Sequence, residues 1–192
     1  MTLIRPSRVR IDSELLDALM APASQRNYAD DPRAFVRIDH SLRTYWHSLF
    51  DVCPGLLRLS GPDGLSVFRP FMAWAAEQRL CFNWSYYLWV YIWLRQSEFR
   101  DLLDSDLRLS LMAASAARWA TFDRSKAAAV ALGCMEMQGL VCGFKPRALD
   151  ASMKVEYMEL EKTIASPDGL FGFFTLFGPE IDHFPGWRPI PK

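Results

Sequence analysis

The segment CFNWSYYLWVYIWLRQSEFR, Cys81 to Arg100, constrains the fold more than any other part of the chain. Its first fourteen residues hold three tryptophans, three tyrosines and no charge. A bilayer span needs about twenty apolar residues, so this run is too short to cross a membrane. It is overlong for a strand, and helix is the better reading. A helix apolar on every side has to be covered on every side. Trp84, Leu88 and Tyr91 fall along one helical face, and Trp89 and Trp93 along another. The segment therefore reads as a central core helix. The alternative is that part of it meets a second protein, because Trp and Tyr are enriched at interfaces.

Composition supports a packed domain. The 192 residues are 51% hydrophobic, enough apolar surface to offset the entropy of ordering, so disorder is excluded. The 22 basic residues are matched by 22 acidic ones and form no stripe, which makes nucleic acid a poor partner. The N-terminal MTLIRPSRVR is broken by Pro6 and lacks the apolar run of a signal peptide. The expectation is a cytoplasmic protein without membrane contact.

Helix signals dominate the first two thirds of the chain. Asp12 or Ser13 can cap a short helix carrying Leu15, Leu16, Leu19 and Met20. Asp31 and Pro32 open a stronger one, with Phe35, Ile38, Leu42, Tyr45, Trp46 and Leu49 at helical spacing. After the turn-rich SGPDG (Ser60 to Gly64), Pro70 is expected to open a helix through Phe71, Trp74 and Ala75. Asp104 to Phe122 reads as a further helix with acidic residues in its first turn. From Asp123 the texture changes. Ala127 to Leu132 can continue helically, but Gly133, Gly139 and Gly143 are awkward inside a helix. MKVEYMELEKTI (Met153 to Ile164) alternates as a strand does, and a charged helix fits almost as well. GLFGFFTLFG is β-like, and the proline-rich EIDHFPGWRPIPK reads as an extended strap. The expected fold class is α+β, predominantly α-helical. It comprises a helical body over 1–124 and a small β-containing lobe with its strap over 125–192, packed as one compact unit.

No self-sufficient active site assembles from these residues. His40 and His47 lie two turns apart on one helix, about 10 Å, too far to share a metal. His183 beside Asp182 could be an oriented base, but no nucleophile motif accompanies it. Cys53, Cys81, Cys134 and Cys142 form no CxxC pair and read as buried reduced thiols. Cys134, Met135, Met137 and Cys142 could make a soft copper site, or simply belong to a Met-rich core. Glycine-rich phosphate loops, GxSxG and HExxH are missing from the sequence. No catalytic residue, metal ligand or cofactor is assigned to the chain. A stand-alone helical metal or redox enzyme using His40, His47 and the cysteines is the alternative, and a toxin-neutralising interaction protein would share the same surface properties.

Several segments together resemble the MbnC family of methanobactin biosynthesis proteins. They are RIDSELLDALMAPASQ, FVRIDHSLRTYWHSLFDVCPGLLRLSGP, FMAWA, WSYYLWVYIWLRQSEFR, PDGLFGFF and EIDHFPGWRP. The likeness covers most of the first hundred residues and the last thirty, and is thin between Ala127 and Ile164. It implies a non-catalytic subunit in a heterodimer with MbnB, an iron-dependent partner of TIM-barrel type. The pair would oxidise cysteines of a methanobactin precursor peptide to oxazolone and thioamide groups with O2, yielding a secreted copper chelator. The iron would belong to the partner, and this chain would bind the precursor's leader.

Family leaders are short, basic and rich in β-branched residues, so an extended guest is expected. Such a guest is most simply held by adding a strand to an open sheet edge. If Met153 to Ile164 is that edge, Met153, Val155, Tyr157, Glu159 and Glu161 share one face, an apolar groove with two carboxylates. Val155, Tyr157, Glu159 and Glu161 are thus the expected leader-binding residues. Asp182, His183, Phe184, Trp187 and Arg188 are the expected partner interface, because the strap's aromatic rings need cover.

Overall fold

The computed structural model describes residues 40, 43–146, 153–160, 164–178 and 184–192. The helix expected from Asp12 and the start of the one expected from Asp31 lie outside the described residues, as do Glu161, Asp182 and His183. The chain divides after Arg79 into two compact units.

In the first unit, residues 43–50 form helix α1. A 3-10 turn at Pro54–Leu56 leads into the short α2 (Leu57–Ser60), and α3 spans Leu65–Glu77. Pro70 lies inside α3 instead of opening it. The start is set earlier by the turn, where the Asp63 carboxylate accepts from the Leu65 N–H at 2.9 Å. The same turn is tied to α1, since the Trp46 indole N–H donates to the Asp63 carbonyl at 2.8 Å. The Trp46 and Phe50 rings lie 4.9 Å apart.

The second unit holds α4 (Tyr86–Leu94), α5 (Ser105–Phe122) and five strands. The strands are β1 (Ala129–Cys134), β2 (Leu140–Phe144), β3 (Lys154–Met158), β4 (Phe171–Leu176) and β5 (Arg188–Pro189). They form one antiparallel sheet in the order β3-β2-β1-β4-β5. The architecture is mixed α+β. Helix exceeds strand, as expected, but the helical predominance is not clear-cut, because the sheet is the scaffold of this unit and not an appendage. The division expected near residue 124 runs between α5 and β1, which pack on one another.

Helix α4 is the aromatic segment, and its core reading holds. Tyr87, Leu88, Val90, Tyr91 and Leu94 are buried, with Leu88 fully inaccessible. Tyr91 meets Phe171 edge-on at 5.7 Å, and Trp84 just before the helix meets Phe173 at 5.0 Å. No helix among the described residues is long and apolar enough to cross a membrane. Helix α5 starts as expected at Asp104, whose carboxylate accepts from the Leu107 N–H at 2.7 Å, satisfying a donor the helix itself cannot.

The run from Ala127 becomes a central strand instead of continuing the helix. All six residues of β1 are buried, as befits a strand covered on both faces. On one face α5 comes so close that a Cβ at Gly143 would lie 2.5 Å from the Ala116 carbonyl oxygen. On the other, Ala129, Ala131, Leu140, Cys142, Phe174 and Leu176 form a buried cluster capped by Leu160, Ile164, Phe184 and Trp187. The Trp187 ring occupies the space where a Gly133 side chain would stand. Two of the awkward glycines thus mark close approaches within a sheet.

Candidate functional site

The sheet ends differently on its two sides. At one edge β5 has two residues, one of them a proline, which blunts it against further pairing. At the other, β3 pairs only with β2 among the described residues. Lys154–Met158 therefore takes the strand reading and not the charged helix.

The register settles which groups of β3 face outward. The Lys145 N–H donates to the Ala128 carbonyl at 2.9 Å, so Lys145, Gly143 and Val141 turn their backbone groups toward β1. Phe144, Cys142 and Leu140 then turn theirs toward β3, where they oppose Lys154, Glu156 and Met158. Val155 and Tyr157 are left with their N–H and C=O groups pointing away from the sheet. A partner strand would find two donors and two acceptors there.

The side chains around this edge are mixed. Val155 is half-buried, Tyr157 is 50% exposed and Met153 is 38% exposed. The Tyr157 ring lies over Gly139, the third awkward glycine, which leaves room for it. Met153 is held at the end of α5, its sulfur accepting from the Thr121 hydroxyl at 3.3 Å. Lys154 and Glu156 pair with one another at 2.5 Å on the opposite face, and Glu159 is exposed just past the strand. The structure thus gathers Val155, Tyr157 and Glu159 at one edge. The outward direction of the backbone groups at 155 and 157 is invisible in the sequence, because it depends on the β1–β2 register.

Two of the strap residues, Phe184 and Trp187, find their cover within the chain. Phe184 and Trp187 pack on their own sheet, with the Phe174 ring 5.5 and 5.3 Å away. The Trp187 indole donates to the Ala165 carbonyl at 2.5 Å. Beyond it, the Pro191 carbonyl accepts from the Ser85 hydroxyl (2.7 Å) and the Trp89 indole (2.8 Å). The cover these rings need comes from the chain itself, so their aromatic character no longer argues for a partner. Arg188 in β5 is exposed.

Among the described residues, no three of His, Cys, Asp and Glu come together as a metal site. His47 Nδ1 lies 2.9 Å from Asp51 Oδ2 on an exposed face. Cys134 and Met137 line one cavity of about 100 Å³, whereas Met135 is exposed and Cys142 lies in the cluster on the strap side of the sheet. Burial pushes the Cys53 and Cys142 thiols up to about 12 and raises Cys134 as well. Cys81 is exposed, contrary to the expectation that all four are buried. Thiolates are the reactive form. Titration of the native protein with a chromogenic disulfide at pH 8 should therefore modify Cys81 rapidly and the other three only in denaturant. Rapid modification of a second thiol would mean that the buried sites open.

The family model described as methanobactin biosynthesis cassette protein MbnC-like matches residues 25–191, most of the chain and all of the second unit but its last residue. No curated protein matches the chain.

Proposed function

The chain belongs to the MbnC-like family of methanobactin biosynthesis cassette proteins, and on that premise we propose that it is a non-catalytic subunit that holds the leader of a methanobactin precursor peptide. The observation that carries this reading is the open edge of β3, with the backbone groups of Val155 and Tyr157 facing outward. An extended leader would add as a sixth strand, main-chain hydrogen bonds giving affinity and alternate side chains giving register. Its β-branched residues would rest on Val155, Tyr157 and Met153. Its basic residues would face Glu159 and Glu161.

The oxidation itself belongs in this reading to an iron-dependent partner, MbnB, which would hold the metal and convert precursor cysteines to oxazolone and thioamide groups. This chain's part is to position the peptide for that partner. Arg188, with Asp182 and His183, remains the proposed contact to it.

Titration of a labelled leader peptide tests the proposal. Reversing Glu159 and Glu161 to lysine should weaken binding roughly three- to tenfold at low ionic strength, since two attractions become repulsions. The effect should shrink as salt screens the charges. A leader that binds the reversed protein equally well at low salt would remove the carboxylates from the site. A bound leader that is helical would sink the added-strand reading.

A further inference from the structure

We propose that the groove at the C-terminal end of α5 is a docking surface for an acidic, aromatic-bearing segment of a partner protein. The groove measures about 350 Å³ and is walled by Phe82, Trp84, Arg118, Phe122 and Arg124. Phe122 is 64% exposed and shares the groove with the half-buried rings of Phe82 and Trp84, so the exposed apolar surface is contiguous there and not a single ring. Its ring already carries the Arg118 guanidinium at 5.6 Å, and Arg118 also donates to the Phe82 carbonyl at 3.3 Å, which fixes the cation beside the aromatic wall.

Charge decides the occupant. Arg118 and Arg124 line the groove, Lys126 follows two residues on in the chain, and Lys145 reaches Asp123, which among the described residues is the one carboxylate lining it. Lys145 is taken up by that carboxylate at 2.6 Å and stacks over Trp119 at 4.7 Å. Burial alone would raise the Asp123 carboxyl, but hydrogen bonds from Lys145 and Ser125 outweigh it and hold it below its ordinary range. That carboxylate is therefore already committed. Arg118, Arg124 and Lys126 have no ion-pair partner among the described residues. A segment bearing Asp or Glu beside a Phe, Tyr or Trp would neutralise these cations and lay its ring against Trp84 and Phe122. Single-stranded nucleic acid fits less well. Three cations at one helix end give no track for a phosphate backbone, and the chain as a whole has zero net charge.

The test uses the full chain and four labelled probes read by fluorescence anisotropy. They are an eight-residue peptide of alternating Glu and Gly around one Phe, its Lys counterpart, its Ala-for-Phe counterpart, and a 15-nucleotide oligothymidine. The Glu/Phe peptide should bind, the Lys peptide should not, and loss of the Phe should weaken binding about fivefold or more. Arg124→Glu and Phe122→Ser change exposed side chains and should each weaken the Glu/Phe peptide about fivefold, with circular dichroism unchanged. Equal binding of the Glu and Lys peptides, insensitivity to both substitutions, or tighter binding of the oligothymidine would each overturn the proposal.

Discussion

Deleting residues 184–192 is expected to leave the second unit unable to stay monomeric, although the deleted piece contains only two residues of strand. The strap is one of the two covers of the sheet. Without it, Ala131, Leu140, Cys142, Phe174 and Leu176 lose the half-buried rings of Phe184 and Trp187 and face water. Exposed clusters of this kind drive association. The deletion also takes the Pro191 carbonyl from the Ser85 hydroxyl and the Trp89 indole, and leaves β4 as a bare edge. The single substitution Trp187→Ala should keep the fold and cost about 2–3 kcal/mol, at or below the low end for a large core aromatic because the ring is only half-buried. Urea unfolding measures that cost, and sedimentation of the deletion variant measures the association. An unchanged urea midpoint for Trp187→Ala would show that the strap is not structural, and its aromatic rings would again be free to serve a partner.

What could be read from the sequence was local. Helix α4 is legible because fourteen uncharged residues leave few options, and α5 because Asp104 caps it. The strap is legible from its prolines. What could not be read depended on distant partners. Gly133 is a glycine because Trp187 lies over it, Gly139 because Tyr157 does, and Gly143 because α5 passes there. None of these neighbours is near in the chain, so the glycines looked like helix breakers without a purpose. Ala127 to Leu132 is apolar throughout, and such a run fits a buried strand or a buried helix equally until its neighbours are known. Pro70 misled for the opposite reason. A proline is a common helix opener, but the Asp63-Gly64 turn had already supplied the start. At the candidate site, the alternation of Val155 and Tyr157 was visible, whereas the place of β3 at the edge of the sheet, open among the described residues, is a property of the sheet order.

That openness yields the sharpest test of leader binding, because proline acts differently at alternate positions of β3. The Val155 N–H points away from β2, so Val155→Pro removes an outward donor and leaves the β2–β3 ladder intact. Edge strands tolerate proline in that orientation. The added strand, however, loses a main-chain hydrogen bond and meets the pyrrolidine ring. Leader affinity should fall by at least about tenfold, equivalent to roughly 1.4 kcal/mol, while the thermal midpoint changes little. Glu156→Pro is the internal control. The Glu156 N–H faces β2 opposite Cys142, so proline there breaks the ladder and should lower the thermal midpoint. Val155→Thr keeps the N–H and the β-branched shape and should bind the leader nearly as the native chain does. A side-chain groove without strand addition would give another pattern, with Val155→Pro and Val155→Thr weakening binding alike. If Val155→Pro binds the leader as tightly as the unaltered chain, the peptide is not held on this edge.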